Sequence, residues 1–191
     1  MISSAQTTGV ILAGGKSTRI GREKSLLSLK GKPLIQYALD ELSLIFQECV
    51  IISNQPELHQ FLNRPMYQDL YQDCGPLGGM HSAFVHTTSP ALFFSTCDSP
   101  FITKELIEHL LHYQTDALVR VPRTVDGIHP LFGLYSRSCA VVIERQLKER
   151  NFRVQDLFNE VSIEYIPIGP QLPFYNPQLL MNVNLLSDLE L

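Results

Sequence analysis

Short apolar runs, separated by stretches too long for hairpin loops, constrain this chain more than any other feature. Residues 8–12, "CVIIS" at 49–53, "ALFFSTCD" at 91–98 and "ALVRV" at 117–121 read as buried strands. Between them lie helical patterns. Leu34, Ala38, Leu42 and Ile45 recur at helical spacing behind Pro33, and Leu106, Ile107, Leu110 and Leu111 form one face behind a capping Thr103. Further helices are expected at 80–86 and 138–150, with shorter ones at 56–62 and 154–158. Met66 and Tyr67 suggest a short strand, "HPLFGLY" at 129–135 another, and "IEYIPI" at 163–168 an edge strand, because Pro167 cannot donate to a second neighbour. Strands alternating with helices imply an α/β protein: a mostly parallel sheet covered on both faces, in three α/β/α layers. With 191 residues, the whole span 1–191 is expected to be a single domain.

Composition narrows the partners. A net charge of -4 and a pI near 5.8 supply no basic field for a nucleic-acid backbone, so no nucleic-acid binding is expected. The opening "MISSAQTTG" lacks the cationic start of a secretory leader, and residues 10–13 are far too short a run to span a bilayer. The expectation is a cytoplasmic monomer with no membrane association. Cys49, Cys74, Cys97 and Cys139 are irregularly spaced, without the paired spacing of a zinc or dithiol site, and are expected to be reduced and mostly buried. His109 and His112 share a helical face without an acidic residue to complete a metal set, and are expected on the surface of their helix.

Ligands of parallel sheets bind beyond the carboxyl ends of the strands. The first such end is "ILAGGKSTR", residues 11–19. It fails the P-loop register, since a glycine at 15 before Lys16 demands another at 10, where Val10 stands, and starting from Gly9 puts Gly15 in the lysine position. Even so, Lys16, Arg19, Arg22 and Lys24 surround Gly14, Gly15 and Gly21. Glycines allow close backbone approach while several cations contact a chain of phosphates, which suits a triphosphate; a solvated basic loop is the plainer alternative. Asp98 ends a buried strand, where a carboxylate is costly unless paired, and a hard Mg2+ takes one or two carboxylates plus phosphate oxygens. That makes Asp98 the metal candidate, against a plain turn-capping role. Asp69 follows the short strand at 66–67 and is as well explained by an exposed turn. "DCGPLGGM" at 73–80 reads as a glycine-rich loop able to lie against a flat base or a sugar. Ser95, Ser99 and Cys97 have no local base partner, so the chemistry expected is direct transfer between two bound substrates.

"LAGGKSTRIGREKSLLSLKGKPLIQY" resembles the L-A-G-G-x-S-x-R-M-G-x-x-K signature of nucleotidyltransferases with the Rossmann-like sugar-nucleotide transferase fold, especially the molybdenum cofactor guanylyltransferases. "GPLGGM", "CDSPF" and "HPLFGLY" follow in that family's order, so the likeness spans essentially the whole chain. The resemblance implies transfer of GMP from GTP to the terminal phosphate of molybdenum-bound molybdopterin, releasing pyrophosphate. By the same resemblance Leu12, Ala13, Gly14 and Gly15 contact the nucleotide, and Lys24, assisted by Arg19, neutralises the triphosphate. Asn54 and Asp69 face the nucleoside, Gly75 and Gly78 help read guanine, and Asp98 binds Mg2+. His129, Arg153, Asn182 and Asn184 fall to the acceptor side. The family's N-x-N-T-P-E-D-L appears as "NVNLLSDL", keeping both asparagines while Leu185 and Leu186 replace Thr-Pro. Glu23 stands where Asp is common, and Asn54 follows Ser53 directly without an intervening small residue.

Two alternatives stand beside this reading: a cytidylyltransferase of the same fold, and a non-catalytic nucleotide or cofactor carrier. Proteins that supply the cofactor or mature the receiving molybdoenzymes would make transient contacts.

Overall fold

The computed structural model describes residues 3–14 and 24–183. Its strands are β1 (Thr7–Leu12), β2 (Ser28–Leu29), β3 (Lys32–Pro33), β4 (Cys49–Ile52), β5 (Met66–Tyr67), β6 (Ala91–Thr96), β7 (Val119–Thr124), β8 (Gly127–Ile128), β9 (Gly133–Ser136) and β10 (Ile163–Pro167). Its α-helices are α1 (Leu34–Ser43), α2 (Gly75–His86), α3 (Lys104–Leu111) and α4 (Cys139–Lys148), with 3-10 segments at Ser4–Gln6, Lys24–Leu26, Pro56–Leu62 and Val154–Asn159.

The main sheet runs β10-β7-β9-β6-β1-β4-β5, with β8 paired to β7, while β2 and β3 form a separate ribbon. β1 lies inside the sheet, parallel to β4 on one side and β6 on the other, and all six of its residues are buried. Alternation along the strands sorts the core. Ile11, Ile51 and Phe93 pack in one cluster with Ile35 and Leu42 of α1 and Ile107 of α3. Val10, Ile52 and Phe94 pack in another with Met80 and Phe84 of α2 and Ile143 of α4. Successive side chains of a strand point to opposite faces, so the two clusters are the two interfaces of an α/β/α sandwich.

Pro33 precedes α1 as expected, and the Thr103 side chain accepts a hydrogen bond from the Leu106 N–H at the start of α3. Leu106, Ile107, Leu110 and Leu111 are all buried. All four cysteines are buried free thiols; burial pushes the Cys139 thiol up to about 12. Among the described residues β10 pairs with β7 alone, so Pro167 sits on an edge.

Four expectations need correction. The glycine-rich stretch at 73–80 is not an open loop, because α2 begins at Gly75. The stretch at 129–135 is not one strand: residues 129–132 form a turn closed by the Phe132 N–H donating to the His129 carbonyl at 3.1 Å, and β9 starts only at Gly133. The strand expected at 117–121 lies two residues later, at Val119–Thr124, where Val119 pairs with Ile163 of β10. His109 is half-buried against Phe174, 5.5 Å between ring centroids, while His112 is exposed as expected. The sheet is parallel at β10-β7 and β6-β1-β4-β5, but β9 runs antiparallel to both β6 and β7.

Candidate active site

One registered row crosses four adjacent parallel strands: Thr96 of β6 opposite Leu12 of β1, Leu12 opposite Ile52 of β4, and Ile52 opposite Tyr67 of β5. The ladder runs on past the row, with Cys97 N–H donating to Leu12 O (3.2 Å), Ala13 N–H to Ile52 O (2.8 Å) and Ser53 N–H to Tyr67 O (2.9 Å). One step further along each chain stand Asp98, Gly14, Asn54 and Asp69. Neighbouring strands lie about 4.8 Å apart, so the four chain ends form a rim about 14 Å wide, longer than one phosphate. Leu12 and Ala13 are buried beneath it, and Gly14 is exposed with open space where a Cβ would stand.

At the β4–β5 end of the rim, Asn54 and Asp69 hold each other. The Asn54 amide donates to Asp69 Oδ2 at 2.9 Å, and the Asp69 N–H donates to Asn54 Oδ1 at 2.9 Å. Partial burial raises the Asp69 pKa, against the lowering effect of the Asn54 bond. Helix α2 comes up under this pair. A Cβ on Gly79 would stand 3.1 Å from Leu12 Cδ2 and 3.4 Å from Asp69 Oδ1, so the glycine admits the helix to close range of the rim. Gly78 serves packing instead: a Cβ there would meet the Tyr71 carbonyl at 2.8 Å. Gly75 is exposed at the helix start with φ +60°. Sequence reading named Gly75 and Gly78 and missed Gly79, the glycine of the motif that meets Leu12 and Asp69.

At the β6 end, Asp98 Oδ1 is buried without a hydrogen-bond partner among the described residues. An unpaired buried carboxylate oxygen is costly, and a bound cation is one of the few things that offset it. The Asp98 backbone carbonyl accepts from the Val183 N–H at 2.8 Å, which brings the 181–183 segment to the site. The Ser99 hydroxyl, 2.8 Å from Thr96 Oγ1, donates to Asn182 Oδ1 at 2.8 Å. Asn182, expected on the acceptor side, therefore stands beside Asp98. Among the described residues there is no group of three or more His, Cys, Asp or Glu side chains able to hold a metal. A hard cation held by Asp98, with phosphate oxygens and water for the rest of its shell, fits Mg2+.

Lys24 opens the 3-10 turn Lys24–Leu26, half-buried, with its carbonyl accepting from the Leu27 N–H at 3.1 Å. Its neighbour Ser25 is buried and bonded to His59, which ties the turn that carries Lys24 to the 3-10 segment Pro56–Leu62 after β4. Gly15, Arg19 and Asn184 lie outside the described residues, as do Lys16 and Arg22.

His129 and Arg153 lie past the antiparallel strand. His129 Nε2 is 3.0 Å from Thr124 Oγ1, and burial lowers the imidazole pKa against the pull of the Asp126 carboxylate. Arg153 is exposed, 3.9 Å from Asp156, and lines an open cavity of about 280 Å³ with Pro76, Pro130, Leu131 and Phe152. The fold thus brings the start of α2, the turn after His129 and Arg153 around one hollow, while the first group of candidates gathers on the rim.

A family model described as the MobA-like NTP transferase domain matches residues 9–162. The chain belongs to this family. MobA-like NTP transferases that it resembles include a probable molybdenum cofactor guanylyltransferase of Carboxydothermus hydrogenoformans, 33% identical over 96% of this chain and 93% of the relative. The molybdenum cofactor guanylyltransferase of Desulfosudis oleivorans is 31% identical over 96% and 92% respectively. Among solved structures, the molybdopterin-guanine dinucleotide biosynthesis protein A of Archaeoglobus fulgidus superposes with a TM-score of 0.79 at 26% identity, covering 96% of this chain and 95% of that one. The likeness extends over nearly the whole of each protein, so the MobA-like architecture includes the described strand ends at both sides of the sheet. Among the described residues no helix is long and apolar enough to cross a membrane.

Proposed function

We propose that this MobA-like chain is a Mg2+-dependent molybdenum cofactor guanylyltransferase, transferring GMP from GTP to the terminal phosphate of molybdenum-bound molybdopterin. The observation that carries the reading is the rim of four parallel strand ends, with reciprocal Asn54–Asp69 bonds at one end and, at the other, Asp98 Oδ1, unpartnered among the described residues. The relatives' names supply guanine and the cofactor.

On this reading the nucleoside lies toward Asn54 and Asp69, with Gly79 beneath it, and the phosphates run along Gly14 toward Asp98. Asp98 holds Mg2+, which when bound offsets charge on the phosphate oxygens. The ammonium of Lys24 neutralises the triphosphate. The acceptor occupies the hollow beside Arg153, with His129 and Asn182 flanking its approach. An acceptor phosphate oxygen attacks the α-phosphorus of GTP in line; the new O–P bond forms as the bond to the β-phosphate bridging oxygen breaks, and pyrophosphate leaves with that electron pair. The chain contributes positioning and charge, with no covalent intermediate, in keeping with Ser99 being bonded to Thr96 and Asn182 rather than to a base.

The test is turnover with molybdenum-loaded molybdopterin, Mg2+ and either GTP or CTP, following dinucleotide and pyrophosphate. The expected result is dinucleotide and pyrophosphate in equal amounts with GTP strongly preferred. A preference for CTP would replace guanylyl by cytidylyl transfer, and tight nucleotide binding without pyrophosphate would favour a carrier.

A further inference from the structure

Arg123, near the end of β7, carries a charge that none of the chemistry above uses. β9 runs antiparallel to both β6 and β7, so β7 is parallel to β6 and its carboxyl end reaches the same edge of the sheet. Tyr135 of β9 stands opposite Leu92 of β6 and opposite Val119 of β7. Four residues on from that pair are Thr96 and Arg123, so Arg123 stands level with the registered row through Thr96, Leu12, Ile52 and Tyr67. Val119 and Val121 pack in the cluster of α2 and α4, and the alternation of the strand puts Arg123 on that same face. Leu131 and Phe152, which line the hollow beside Arg153, pack against this cluster too.

The charge is exposed, yet it is held. The Arg123 guanidinium carbon lies 4.5 Å from the centroid of the half-buried Tyr165 ring, which Phe158 backs at 6.2 Å between centroids. Among the described residues the ion pairs are made by other cations, namely Lys32, Lys104, Arg145, Lys148 and Arg153. A guanidinium seated over a ring instead of against a carboxylate keeps its charge and its N–H donors for a ligand. The backbone is fixed as well, since the Arg123 carbonyl accepts from the Ile168 N–H at 2.9 Å. Both neighbours hold His129: the Pro122 carbonyl accepts its N–H at 3.1 Å, and Thr124 Oγ1 lies 3.0 Å from its Nε2. His129 leads directly into Pro130 and Leu131 of the hollow.

We infer that Arg123 is a second cation of the acceptor site, binding an anionic group other than the phosphate that reacts, with Tyr165 as its positioning residue. The inference rests on the acceptor site proposed above. β9 separates β7 from β6, so Arg123 lies about 10 Å, two strand spacings, across the sheet from the strand that leads to Asp98. That distance sets it apart from the reacting phosphate and suits the metal-bearing end of the acceptor, where oxygen ligands of molybdenum carry negative charge.

Equilibrium binding of molybdenum-loaded molybdopterin, with GTP binding measured beside it, tests this. Arg123→Ala is expected to weaken acceptor binding about tenfold, the size of one charge-assisted hydrogen bond, and to leave GTP affinity unchanged. With metal-free molybdopterin the same substitution should cost less than about twofold, because the charge it answers is missing. Tyr165→Leu is expected to weaken binding of the loaded acceptor about threefold in the otherwise native chain and less than about 1.5-fold in an Arg123→Ala background, since the ring acts through the guanidinium. Tyr165→Phe, which keeps the ring, should restore native affinity. Thermal unfolding of each variant reports stability separately. Native acceptor affinity or lowered GTP affinity in Arg123→Ala, an equal loss with metal-free molybdopterin, or an equal loss from Tyr165→Leu in both backgrounds would overturn the inference while leaving the acceptor site standing. No binding of either molybdopterin by the native chain would overturn both.

Discussion

The half of the sheet made of β6, β1, β4 and β5 differs in kind from the half made of β9, β7 and β10. In the first, every strand runs the same way, so every carboxyl end reaches the same rim and one offset from the registered row finds Asp98, Gly14, Asn54 and Asp69 together. In the second, β9 is reversed against both neighbours, and the candidates come from a turn (His129) and from the segment after α4 (Arg153). A parallel sheet concentrates chain ends by a rule, whereas a reversed strand leaves their placement to loops.

That contrast makes separate predictions for the two halves. The largest effect is expected at Asp98: Asp98→Asn should lower Mg2+-dependent turnover by about 100- to 1000-fold, the scale of removing a group that stabilises developing charge. Its thermal midpoint should hold or rise, because the change neutralises a carboxylate whose Oδ1 is buried without a partner among the described residues, and near-native turnover would take Asp98 out of the metal role. Lys24→Ala should weaken GTP binding about 10- to 100-fold, as expected for losing a charge-assisted contact to phosphate. An unchanged affinity would reduce the basic stretch to a solvated turn. On the other half, Arg153→Ala should raise the acceptor KM about three- to tenfold with GTP affinity unchanged, a loss suited to one exposed cation on a phosphate. A drop in GTP affinity instead would erase the distinction between the halves.

The smallest effect spans both. Burial lowers the pKa of His59, His81, His109 and His129, so the folded protein binds fewer protons there than the unfolded chain. Stability from these groups is complete above the ordinary histidine value of about 6.5 and is lost as pH falls below it. Thermal unfolding between about pH 7.5 and pH 5 should show the midpoint dropping by a few degrees, and a flat profile would show that the four rings titrate as in the unfolded chain.

The same division governs how much could be read from the sequence. β1, β4 and β6 were legible because a strand buried on both faces is an unbroken apolar run, and a polar residue just after such a run marks the rim. β9 was blurred because Pro130 and the turn at 129–132 interrupt a stretch that alternation alone makes continuous. The glycines of 73–80 read as a loop, whereas close packing at Gly78 against Tyr71 and at Gly79 against Leu12 and Asp69 makes small residues a condition for α2. The helical spacing of His109 alone predicts a surface position, because nothing local announces Phe174. The partnerships Asn54–Asp69, Ser99–Asn182 and Ser25–His59 join residues 15, 83 and 34 positions apart and exist only once the strands are assembled.

The most direct measurement is titration of GTP with and without Mg2+ into three proteins in parallel: the native chain, Asp98→Asn and Arg153→Ala. The account predicts that Mg2+ strengthens GTP binding to the native and Arg153→Ala proteins alike and has no such effect in Asp98→Asn. A Mg2+ dependence preserved in Asp98→Asn, or lost in Arg153→Ala, would contradict the assignment of the nucleotide to the parallel half of the sheet.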